Sequence, residues 1–137
     1  MNDRYLVRGK RKDNGEWVVG YYTVDAAGQE IIDVMNDMRL FESCHTIDPS
    51  TLGAYTGIAD KNGKRIFDGD IVRHYNDFRD PEKFDVGDIY WDGFGCKWRR
   101  TSNEFFPDDV EISGNNEFIY EVIGNIYDNP DLLEEAE

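Results

Sequence analysis

The sequence predicts a mostly β (α+β) chain: an N-terminal β-meander, a C-terminal SH3-like or bent-barrel unit, and a short C-terminal helix. Three observations carry this expectation. Short aromatic and β-branched runs alternate with Asp, Asn and Gly clusters along the whole chain. Asn14-Gly15 and Asn62-Gly63 have the chemistry of tight hairpin turns. Only the acidic stretch Asp131-Leu132-Leu133-Glu134-Glu135-Ala136, just after Pro130, has the character of a helix or a frayed tail.

Taken in order, Tyr5-Leu6-Val7-Arg8 and Glu16 to Tyr22 form a first hairpin around Asp13-Asn14-Gly15. Asp25-Ala26-Ala27-Gly28 is a second turn, followed by a strand over Glu30–Val34 and a weaker one over Met38–Phe41. Ser43 to Leu52 reads as a linker, with Asp48 and Pro49 suited to start a helical turn. Beyond Ala54, Asp60-Lys61-Asn62-Gly63-Lys64 is a turn, and Ile71 to Tyr75 a strand opened by Asp68-Gly69-Asp70. Asn76 to Lys83 is a loop. In the strand Phe84 to Trp91 the apolar set changes frame at Gly87, which predicts a bulge there. Asp92-Gly93 turns into Cys96-Lys97-Trp98-Arg99. Glu117 to Ile123, the most apolar run in the chain, is expected to be a central strand.

With 137 residues, 39% of them apolar, the chain is long enough for one domain with its own core. The expected organisation is a single domain over 1–137, with sub-lobes at 1–47 and 54–127 and an acidic tail over 128–137. The absence of a long apolar run, and a start of Met-Asn-Asp-Arg, point to a cytoplasmic protein with no membrane partner. Cys44 and Cys96 then read as free thiols.

Charge is polarised. Against 15 Lys plus Arg stand 29 Asp plus Glu, a net charge of -14. Arg4, Arg8, Lys10, Arg11 and Lys12 crowd the start, whereas Asn103 to Glu137 contains no base. Such a balance repels a phosphate backbone and disfavours general nucleic-acid binding. The local exception is Lys97-Trp98-Arg99-Arg100, a candidate nucleic-acid patch in which aromatics near bases would supply stacking for a single strand.

The run Tyr55-Thr56-Gly57-Ile58-Ala59-Asp60-Lys61-Asn62-Gly63-Lys64-Arg65-Ile66-Phe67-Asp68-Gly69-Asp70-Ile71-Val72 resembles the signature of the YopX-like family of bacteriophage and prophage proteins. Tyr5 to Lys10 leading to Trp17, and Glu121 to Leu133, are two further landmarks in the same order. Ile58 and Asp68 are conservative departures from the more usual Leu and Glu. The resemblance implies a phage or mobile-element origin and a mostly β fold, and carries no activity or catalytic residue with it. The signature residues Thr56, Gly57, Asp60, Asn62, Gly63, Gly69 and Asp70 also have a purely structural reading: turn formers between the core residues Ile66, Phe67, Ile71 and Val72.

Recognised chemistry is sparse. Cys44, His45, His74 and Cys96 lack the paired spacing of a zinc site and any setting that would activate a thiol. Asp60, Asp68 and Asp70 offer oxygens for a divalent cation but lack the EF-hand pattern. Gly93-Phe94-Gly95 lacks the strand-to-helix context of a phosphate loop. The expected function is therefore non-enzymatic, with no catalytic residue, cofactor or metal: an accessory protein that binds a host or phage protein, with self-association to cover edge strands. The alternatives are single-strand binding through residues 97–100, or an acidic mimic of DNA that occupies a host DNA-binding protein.

Overall fold

The computed structural model describes residues 5–36, 38, 40–75, 82, 84–91, 96–100, 110–111 and 120–135, with the backbone alone at 91, 96–100, 110–111 and 134–135. The chain divides into two compact units, Met1–Tyr55 and Thr56–Glu137. Both are built almost wholly from antiparallel strands, as the sequence predicts.

The N-terminal unit contains β1 (Leu6–Arg11), β2 (Trp17–Val24), β3 (Glu30–Met35) and most of β4 (Phe41–Ala59). Glu16 closes the first hairpin: its amide donates to Asn14 Oδ1 at 2.9 Å, and its carbonyl accepts from Arg11 N at 2.9 Å. Asp25 Oδ1 accepts the amides of Ala27 and Gln29, both at 2.9 Å, and closes the second. β1 pairs with β2, β2 with β3, β3 with the first part of β4 through Phe41–Thr46, and β4 from Ile47 to Ala54 returns to β1. The meander thus closes on itself. Ser43 to Leu52, expected as a linker, is the middle of this long strand; Asp48 Oδ1 accepts Ser50 N at 3.0 Å inside it and starts no helix.

Closure around so few strands leaves a narrow interior, filled by Ile32 and Ile47, both fully buried. Gly20 is what lets β3 approach. A Cβ there would lie 2.2 Å from the Asp33 carbonyl oxygen and 2.8 Å from Ile32 Cγ2.

In the C-terminal unit the end of β4 forms a hairpin with β5 (Arg65–Phe67), closed by Asp60 N donating to Lys64 O at 2.7 Å. A five-stranded sheet follows in the order β10-β6-β7-β8-β9, from β6 (Asp70–Tyr75), β7 (Phe84–Trp91), β8 (Cys96–Arg100), β9 (Val110–Glu111) and β10 (Tyr120–Asn125). Ile66 of the hairpin meets Val72, Ile89 and Tyr120 from one face of the sheet, with Ile58 and Val122 against them. A short helix, α1 (Asp131–Glu135), packs on β7.

Two further expectations change, both in the C-terminal unit. β7 runs in unbroken register with β6 from Phe84 to Asp88, so Gly87 makes no bulge; the frame changes because both faces of β7 are partly covered, Ile89 buried on one and Asp88 on the other. The apolar run Glu117 to Ile123 is represented by β10, which ends the sheet, while 117–119 lie outside the described residues.

Gly20→Ala is expected to cost about 3 kcal/mol or more, because a methyl group would collide with backbone that cannot yield without opening the β2–β3 pairing. Gly28→Ala meets nothing within 4 Å and bears only the strain of φ +83°, which costs about 1 kcal/mol. Urea midpoints of the two variants check the difference.

Candidate functional site

The signature segment is built around one carboxylate. Asp60 is 5% exposed, and its Oδ1 accepts the amides of Asn62 and Lys64, each at 2.9 Å, which fixes the turn. Its Oδ2 accepts the amide of Val122 at 2.9 Å, across 62 residues of chain. Lys61 N donates to Tyr120 O at 3.0 Å beside it. Gly63 closes the turn with φ +84° and donates to Asp60 O at 3.0 Å.

The second signature turn has the same logic. Asp70, 1% exposed, accepts Phe67 N on Oδ2 at 2.7 Å. Gly69, at φ +95°, donates to Ile89 O at 2.8 Å and accepts Ile126 N at 2.9 Å, joining β7 to the turn after β10. Asp60 and Asp70 are thus engaged with backbone, and among the described residues no three His, Cys, Asp or Glu side chains come together. Thr56 Oγ1 accepts Ile58 N at 3.3 Å, and Gly57 takes φ +92°.

Glu121, on the outer face of β10, gathers the charges around this turn. Its Oε1 accepts Tyr75 Oη at 2.9 Å and Arg73 at 3.3 Å, and Oε2 lies 3.9 Å from Lys61 Nζ. Lys61 Nζ sits 4.3 Å from the centre of the Tyr75 ring, and the Arg73 guanidinium 4.8 Å from that of Phe84. With Arg73 about two-fifths exposed, this node is a surface clasp worth at most about 1 kcal/mol per ion pair.

On the inner face, Tyr120 is fully buried and its hydroxyl finds no hydrogen-bond partner among the described residues. The His74 ring lies 5.3 Å away, tilted by 56°. Burial pushes the phenol up to about 12.

The candidate patch Lys97-Trp98-Arg99-Arg100 lies on β8, where Lys97 is opposite Tyr90, Trp98 opposite Ile89, Arg99 opposite Asp88 and Arg100 opposite Gly87. Strand alternation gives positions 97 and 99 to one face and 98 and 100 to the other, the face of core residue Ile89. Among the N-terminal bases, Arg8 and Lys10 flank the Trp17 ring at 4.8 and 5.4 Å, and Arg11 pairs with Asp13 at 2.6 Å. Cys44 is a free, exposed thiol.

Sequence reasoning missed the most exposed apolar group among the described residues. Between β3 and β4 lie Met38 at 79% exposure and Leu40 at 57%, and β4 opens with Phe41 at 61%. Asn36 Oδ1 accepts Met38 N at 2.9 Å and Leu40 N at 3.1 Å, while Asn36 N donates to Leu40 O at 2.9 Å. The available signal was the position of Met38 and Leu40 just after an Asn able to cap a turn, rather than in an alternating run.

Residues 7–134 match the profile of a protein family described as YopX protein. A comparison with the curated proteins returns no match.

Tyr120 generates a pH prediction. Above a pH of about 10 the unfolded chain releases a phenolic proton that the folded chain retains, so this residue makes stability fall as pH rises from about 10 towards its folded value of about 12. Tyr120→Phe removes this contribution while keeping the ring. Urea midpoints at pH 9 and pH 11 are expected to drop further for the wild type than for the variant.

Proposed function

Since the chain belongs to the YopX family, whose description names no activity, we propose from its own surface that it is a non-enzymatic binding protein acting on a protein partner. The observation that carries this reading is the exposure of Met38, Leu40 and Phe41 in solvent. Asn36 Oδ1 already holds the amides of Met38 and Leu40, which lowers the cost of presenting these side chains to a partner. Three large apolar side chains then supply the desolvated centre that protein interfaces need.

The partner is selected by charge. A chain of net charge -14 is steered towards a basic surface and away from nucleic acid. The reading is therefore an apolar recess in a basic face on the partner, a description that includes DNA-binding proteins of a bacterial host and suits an accessory protein of phage or prophage working in the cytoplasm. The net charge of -14 supports the protein partner over single-strand binding.

The test is affinity capture from bacterial lysate, with and without nuclease. Three baits are compared: the wild type, a tip variant (Met38→Asp, Leu40→Asp, Phe41→Asp) and a charge variant (Lys97→Glu, Arg99→Glu, Arg100→Glu). The wild type and the charge variant are expected to recover the same protein regardless of nuclease. The tip variant, with an unchanged melting temperature, should lose it by about tenfold or more. Recovery of nucleic acid by the wild type alone, or of the same protein by the tip variant, defeats the proposal.

A further inference from the structure

We propose that the Asp60 turn is a guard on the free edge of β10, holding the donor and acceptor to which a second copy of this chain would otherwise add its own β10 strand. The inference is independent of the binding role given to the tip.

Among the described residues β10 ends its sheet, with β6 on one side. On the other side, Lys61 N donates to Tyr120 O at 3.0 Å and Val122 N donates to Asp60 Oδ2 at 2.9 Å. These bonds reproduce one bridge of a parallel ladder centred on Glu121: a neighbouring residue gives an amide to the carbonyl before Glu121 and takes the amide after it. Here a carboxylate oxygen replaces the carbonyl of a real strand. The turn therefore satisfies the edge as a strand would, but ends the ladder because no second strand can follow a side chain.

The sequence of the guarded segment explains the need. Phe118-Ile119-Tyr120-Glu121-Val122-Ile123 has one charge, no proline and strong β preference, the composition of a self-pairing strand. A strand at a sheet edge with that composition templates a second copy unless it is blocked. Asp60 is held ready for this role, since Oδ1 is fixed by Asn62 N and Lys64 N within its own turn. The far end of β10 has a similar device: Asn125 N donates to Asn129 Oδ1 at 3.2 Å, and Gly124 leaves room for that side chain, which a Cβ would meet at 2.6 Å.

The experiment compares the full-length wild type, Asp60→Ala and Asp60→Asn by light scattering over a range of concentrations. Gly20→Ala serves as a control destabilised elsewhere with the guard intact. Asp60→Ala is expected to show a species of at least twice the mass of the wild type. The increase should be abolished by adding Val122→Pro, which removes the edge amide. If Asp60→Ala does not fold, Asp60→Asn decides: its carbonyl still accepts from Asn62 and Lys64, while its amino group opposes the Val122 amide. Val122 hydrogen exchange is expected to accelerate at least tenfold in Asp60→Asn relative to the wild type. Unchanged mass in folded Asp60→Ala, association that persists with Val122→Pro or arises equally in Gly20→Ala, or unchanged Val122 exchange in Asp60→Asn overturns the proposal.

Discussion

Three backbone amides, two from its own turn and one from β10, converge on the carboxylate of Asp60. Such charge-assisted bonds are each worth more than a neutral pair, and a carboxylate at 5% exposure is tolerable only because all of them are made. The rest of the C-terminal unit follows from this point. With β10 located, Tyr120 enters the core beside Val72 and Ile89, and Glu121 is turned outward to Arg73 and Tyr75. Gly69 repeats the arrangement at the other end of β6, where one residue bonds both β7 and the segment after β10.

The N-terminal unit depends on a different constraint, the lack of room. A closed ring of so few strands cannot hold a layered core, so Ile32 and Ile47 fill it and Gly20 gives up its side chain to them. Large apolar residues that do not fit inside are left outside, among them Val19, Tyr22, Val24 and the tip residues. Scattered ones are ordinary on a small β protein; Met38, Leu40 and Phe41 differ in lying close together in sequence.

Turn chemistry was the most legible part of the sequence. Asp13-Asn14-Gly15, Asp25 to Gly28 and Asp60 to Lys64 all close hairpins where expected, because Asn, Asp and Gly act on amides two to four residues away. Long-range consequences were not legible. Nothing local in Asp60 reveals that its second oxygen serves Val122, and nothing in the polar run Ser43–Ser50 reveals that β1 and β3 hold it extended from either side. The apolar run at Val122 reads as a central strand because hydrophobicity is a proxy for two-sided burial; among the described residues a turn, not another strand, provides the second side. For the bases at 97–100, sequence adjacency leaves out the alternation of a strand, which gives positions 97 and 99 to one face of β8 and 98 and 100 to the other.

The pairing of Asp60 with Val122 also sets a schedule. Its 62-residue span must be synthesised before the bond can form, so on the ribosome the β4–β5 hairpin emerges long before the strand it will hold. During that interval the turn is assembled by its own local amides, which need only a few neighbouring residues. The acceptor therefore waits for β10 rather than the reverse, and the most self-adhesive segment of the chain emerges to find its place prepared.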